Sequence, residues 1–261
     1  MKKLAGLVAI WTLMTLCQTV WAAPIGLSDV IKTLENPFKS DAVSSRGGSD
    51  SALLDFEGDF FQEAEIATLD QVQRGSGRVM VKYIRSRAER VPAARFRWEY
   101  DQPTRQEFVS DGKTLWVYLP ENNQVIQSDI EFTSRSRSDD PMTFLTGMGN
   151  LSRDFLITWA YPNQDVAGNY VLELRPRRSS TLIQRMLLVV DKDAVLEFKA
   201  SSSVGDRFPI RSSTVFSPEG NRTTIEFSNI RVNRGLPDSL FRFILPAGVD
   251  VIRPTGNEMG F

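Results

Sequence analysis

The chain of 261 residues contains no histidine, and its single cysteine is Cys17. Without an imidazole, Ser-His-Asp and Cys-His nucleophile systems are excluded, and without a thiolate beyond residue 17 so are zinc sites built on His or Cys. Charge of one sign is not in excess: 31 Lys and Arg face 32 Asp and Glu, a net charge of −1. Such a balance does not suit nonspecific nucleic acid binding. After residue 22 no run is long and apolar enough to span a bilayer. Carboxylate pairs, Ser-Lys dyads and all-oxygen metal sites remain as catalytic options. Ser110-Asp111-Gly112-Lys113 offers such a dyad but reads better as a hairpin turn. Asp139-Asp140 precedes Pro141 at a helix start, and Asp191-Lys192-Asp193 reads as a turn between two apolar strands. The residues present therefore point away from an enzyme.

The opening MKKLAGLVAIWTLMTLCQTVWA (1–22) has the parts of a secretory signal peptide: Lys2 and Lys3, an apolar run from Leu4 to Leu16, and a Val20-Trp21-Ala22 cut site. Leu16 is not the small residue that lipidation of Cys17 requires. Loss of this leader leaves residues 23–261 as a single domain without cysteine, with 29 basic against 32 acidic residues, a net charge of −3. That domain must be held together by its apolar core alone.

Residues 94–120 carry the strongest pattern. Phe96, Trp98 and Tyr100 alternate with Arg95, Arg97 and Glu99, which places three aromatic rings on one face of a strand and three charges on the other. The aromatic face suits either an ordinary core or the wall of a cavity. Asp111-Gly112 predicts a tight hairpin with both residues at positive φ. Similar runs recur from Leu53 to Val232, including NYVLELRP, LIQRMLLVVD, AVLEFKA and NRTTIEFSNIRV, joined by short turns. This spacing predicts an antiparallel meander of about a dozen strands. In 182–190, Leu182, Met186, Leu188 and Val190 face one way and Ile183, Leu187 and Val189 the other, so that strand is expected to be covered on both sides.

Two segments depart from strand. Residues 25–35 predict an amphipathic helix with Ile25, Leu27, Ile31 and Leu34 on one side, ended by Pro37, and 44–51 has the composition of a flexible loop. Asp140-Pro141 opens a Met-rich, glycine-interrupted helix with Met142, Leu145 and Met148 on one side and Phe144 beside them, and residues 151–156 predict a second short helix. This pair reads equally as core packing or as a soft apolar lid over the sheet.

FRWEYDQP at 96–103, VSDGKTLWVYLP at 109–120 and FILPAGVDVI at 243–252 resemble the LolA family of periplasmic outer-membrane lipoprotein carriers, and the order of elements is similar over about residues 53–252. The resemblance implies a mainly β, α+β fold. An incomplete antiparallel β-barrel of about eleven or twelve strands carries a lid of short helices over a hydrophobic cavity. It implies a monomeric carrier in the periplasm, without cofactor, metal or catalytic activity, that binds lipoprotein acyl chains. Its partners would be an inner-membrane lipoprotein-releasing ABC transporter and an outer-membrane lipoprotein receptor, and nucleic acid is not among them. The cavity would be lined by Phe96, Trp98, Tyr100, Trp116, Met142, Phe144, Leu145, Met148 and Leu151. Residues 36–52 stand as an insertion relative to the family pattern. An arginine that closes the lid in the family matches Arg90, two residues before Pro92, with Arg87 and Arg95 as rivals. A lipid-binding regulator, or a shuttle for another lipid, is the alternative on the same fold. The physical need for a carrier is plain: roughly 40 exposed methylenes at about 0.8 kcal/mol each make unaided aqueous transit of a triacylated protein cost about 30 kcal/mol.

The leader generates the first test. Intact mass of protein recovered from the exported fraction should correspond to a chain beginning at Ala23 or Pro24 with no acyl group. An acylated N-terminal Cys17 would overturn that expectation.

Overall fold

The computed structural model describes residues 24–39, 52–85, 93–129 and 148–254. The alternating runs form twelve strands: β1 Asp55–Ile66, β2 Gln71–Ile84, β3 Ala93–Gln102, β4 Gln106–Ser110, β5 Thr114–Leu119, β6 Gln124–Asp129, β7 Phe155–Gln164, β8 Tyr170–Pro176, β9 Arg185–Val190, β10 Ile210–Phe216, β11 Arg222–Val232 and β12 Asp250–Ile252. They make one open sheet in the order β12-β6-β5-β4-β3-β2-β1-β11-β10-β9-β8-β7. All pairings are antiparallel except that of β12 with β6.

The sheet is strongly curled. The rings of Trp98 on β3 and Phe227 on β11 are 6.3 Å apart, although β2 and β1 run between them. Three strand spacings in a flat sheet would separate them by about 14 Å. Register shifts at Glu57/Asp59 and at Ser76/Gly77 supply bends of the kind that β-bulges impose. At the second, a Cβ on Gly77 would lie 1.8 Å from the Glu99 carbonyl oxygen, so only glycine lets β2 and β3 approach this closely.

Among the described residues three α-helices accompany the sheet: α1 Leu27–Glu35, α2 Leu151–Asp154 and α3 Lys192–Ser201. Val30 and Leu34 of α1, Phe38 just after it, Met148, Leu151 and Val195 are all buried in the cluster that fills the concave side. Ile25, Leu27 and Ile31 pack on it partly buried.

Several local readings are corrected. AVLEFKA is not a strand but most of α3. Asp191, read as part of a turn, is its N-cap and accepts a hydrogen bond from Ala194 N at 2.8 Å. Ala194, Val195 and Phe198 are the residues buried, which is helical spacing, and the cap decides between the two periods. In the β4–β5 hairpin only Gly112 has positive φ, and Asp111 closes the turn by accepting from Lys113 N and Thr114 N. The helix expected over 151–156 stops at Asp154, and Phe155 opens β7. In β9, Met186, Leu188 and Val190 are buried while Leu187 and Val189 are only half-buried, so one face alone is fully covered. Both flanks of the segment read as an insertion are structural: Pro37, Phe38, Ala52 and Leu53 are buried, and Leu53 N donates to Pro37 O at 3.0 Å.

The convex face of β2–β5 carries a strap made by the chain after β11. Asp55 is buried and accepts from the backbone N–H groups of Arg234, Gly235 and Leu236 at 2.7, 3.0 and 3.3 Å, which turns the chain onto this face. Leu236 and Phe241 then pack on Met80. Lys82 and Arg95 both pair with Asp238 at 2.7 Å, and Arg97 donates to Leu240 O at 3.2 Å. The charged side of β3 is therefore a docking face for the strap.

Asp238 supplies a test. Its hydrogen bond from Lys82, then that from Arg95, hold its carboxyl at about 2, below the ordinary 3.8. The unfolded chain takes up the proton first as pH falls, so the contribution is present above about pH 4 and lost on descending to about pH 2. The urea midpoint of Asp238→Asn should lie below that of the wild type at about pH 5, with the gap closing by pH 2 and shrinking in about 1 M salt. A gap that ignores pH would sink the assignment.

Candidate functional site

The concave face follows from strand register. Opposite one another on the inner side stand Val79, Trp98, Phe108, Val117 and Ile126, followed by Val81, Phe96, Ser110 and Leu115. From the other half of the sheet come Ile157, Leu174, Met186 and Val215. The rings meet edge to face: Phe60 lies 4.7 Å from Trp98 and 4.8 Å from Tyr100. This wall is almost entirely hydrocarbon and aromatic, with α1 and residues 148–151 above it. Such a surface can take apolar chains out of water.

Most predicted cavity residues that fall within the described segments are brought together. Phe96 and Trp98 are 5% and 1% exposed, and Met148 and Leu151 are 0% and 2% exposed in the same cluster. Tyr100 packs against it half-buried and donates from its hydroxyl to Gln62 Oε1 at 2.7 Å. Trp116 is a correction. Leu115 and Val117 beside it point into the core, so alternation turns Trp116 to the convex face, where it stacks on Phe243 of the strap at 6.1 Å. Met142, Phe144 and Leu145 lie outside the described residues.

Of the arginines weighed for lid closing, Arg95 alone falls within the described residues. Arg95 faces the strap, with Asp238 and the Asp111 carbonyl as partners, and so is on the wrong side of the sheet. Arg87 and Arg90 lie outside the described residues. Arg85, which the sequence reading passed over, directly follows β2 and is turned to the concave side. Its Nη2 donates to Pro37 O at 2.7 Å and Leu53 O at 3.0 Å, and its Nη1 donates to Lys39 O. One guanidinium thus gathers three carbonyls from the chain on either side of residues 40–51. Beside it Tyr83 meets Phe38 edge-on at 5.2 Å, and burial pushes the phenol pKa well above its ordinary range. The signal for Arg85 was available: Val79, Val81, Tyr83 and Arg85 share one face of a period-two strand.

Comparison with known proteins places this geometry. Residues 51–244 match the family model described as outer membrane lipoprotein carrier protein LolA. An outer-membrane lipoprotein carrier protein of Coxiella burnetii is 30% identical over 184 residues, covering 70% of this chain and 72% of the relative. One from Nitrosomonas europaea is 28% identical over 218 residues, covering 83% and 91%. A crystal structure of a LolA superfamily protein from Nitrosomonas europaea covers 84% of this chain and 99% of its own at 14% identity and a TM-score of 0.39, a likeness too loose to bear on function. With its family model matched from residue 51 to residue 244, the chain belongs to the LolA family of outer membrane lipoprotein carrier proteins.

Proposed function

We propose that the chain is a periplasmic carrier that takes lipoprotein acyl chains onto its concave apolar face and moves them from the inner to the outer membrane. An inner-membrane ABC transporter would load it, and an outer-membrane receptor would unload it, without covalent chemistry at any step. The observation that carries this reading is an aromatic wall roofed by a short helix whose far end is tied down by polar bonds. Apolar burial alone would seal the roof. Three carbonyls bonded to one arginine can let go, because water replaces those bonds when they part and the net loss is only about 1.5–3 kcal/mol for each bond to a charged group. Phe96, Trp98, Tyr100, Met148 and Leu151 form the binding surface, and Arg85 biases it closed.

Arg85 and Phe96 give separate tests. In Arg85→Leu the closed roof no longer competes with cargo, so copurifying acylated material should rise and its release should slow. The protein should still fold, with a lowered melting temperature. Wild-type lipid content and release in Arg85→Leu, with a change in Arg87→Leu or Arg90→Leu instead, would hand the role to those residues. In Phe96→Glu a carboxylate enters the wall. If the roof parts, water reaches it, the fold survives, and affinity for an acylated peptide falls tenfold or more, about 1.4 kcal/mol. Outright unfolding would mean a permanently packed core. Normal melting with normal acyl binding would remove Phe96 from the site.

A further inference from the structure

Glu35 occupies a place that nothing in α1 itself explains. It is the last residue of the helix, where the macrodipole disfavours a carboxylate. It is also 9% exposed, and burial of a carboxylate demands partners. One partner, Lys39, stands 3.7 Å from Oε2. The closer one is foreign to α1: Oε1 accepts the backbone N–H of Ser152 at 2.6 Å. Ser152 is in turn fixed to the sheet. Its carbonyl accepts from Arg177 Nε at 3.1 Å, and Arg177 N, one residue past β8, donates to Asp154 O at 2.9 Å. The residue after Asp154, Phe155, opens β7.

The two charged ties at the end of α1 therefore lead to different parts of the sheet. Arg85 belongs to β2, while Ser152 belongs to the approach to β7 at the free edge, and β1, β11, β10, β9 and β8 lie between those strands in the sheet. The last turn of α1 and the three residues after it bridge the mouth of the concave face, bonded to one side by a cation and to the other by an anion. We propose that Glu35 is a positioning residue, a second latch that holds the β7 side of the sheet to α1 as Arg85 holds the β2 side, and that loading requires both to part. The proposal rests on the carrier reading for its purpose, but its geometry can be tested without cargo. A carboxylate receiving an amide is among the stronger hydrogen bonds, and it breaks cleanly into water.

The mature chain, free of cysteine, accepts a spin-label pair at Arg78→Cys on β2 and Leu156→Cys on β7, both on the exposed convex side. In the ligand-free protein the pulsed-resonance distance distribution should be narrow. It should broaden toward longer distances in Glu35→Ala, and in Ser152→Pro, which deletes the donor and leaves Glu35 in place. Glu35→Gln keeps an acceptor oxygen and should restore the narrow distribution. Affinity for a synthetic dipalmitoylated cysteinyl peptide should rise threefold or more in Glu35→Ala and Ser152→Pro and return toward wild type in Glu35→Gln. Narrow distributions in both Glu35→Ala and Ser152→Pro, or one in Glu35→Gln as broad as in Glu35→Ala, would overturn the latch. If Glu35→Ala does not fold, Ser152→Pro and Glu35→Gln decide the question. A wild type that binds no acylated peptide overturns the carrier reading, while the distance measurement still judges the latch.

Discussion

The close approach of β2 to β3 at Gly77 is the constraint on which the concave face depends. With a Cβ there forbidden by the Glu99 carbonyl, the strands cross at a distance no other residue allows, and the ladder shifts register at that point. A second register shift lies on β1 between Glu57 and Asp59. Curvature then brings Trp98 within ring contact of Phe227 and makes one continuous surface from side chains on strands that a flat sheet would hold apart. Every other feature of the site presupposes that surface: the roof needs a hollow to lie across, and the polar ties need two sides to join.

The convex face does complementary work. Asp55 turns the chain after β11, and the strap then clamps β2 to β5 through Met80, Lys82, Arg95, Arg97 and Trp116. These are the strands that bear the aromatic wall. Paired charges here act chiefly as alignment, since exposed ion pairs contribute little on their own. Across the half containing β7 to β10 no such strap lies among the described residues.

The sheet was legible because period-two alternation is a direct image of a curved wall with one apolar side. Phe96, Trp98 and Tyr100 appear in the sequence as they appear in the fold. The same rule would have put Trp116 outside, between Leu115 and Val117, had it outweighed the pull of a shared motif. It also puts Arg85 inside and Arg95 outside, while Arg90 lies outside the described residues. The α3 error has another origin. A short apolar run fits both periods, and only the Asp191 cap, a side-chain bond to Ala194, separates them. Ties between distant segments, such as Glu35 to Ser152, leave no local trace, because their partner is a backbone amide that any residue could supply.

A closed barrel has its radius set by strand number and shear, and to enlarge it by one strand means rebuilding the ladder. This sheet ends at β7 on one side and β12 on the other, so no such integer fixes its capacity. Its curl can change through small torsions spread over the strands that the strap leaves free, without breaking the interstrand ladder. A wall of this kind can fit apolar chains of different number and length by unrolling, where the outline of a rigid pocket could not.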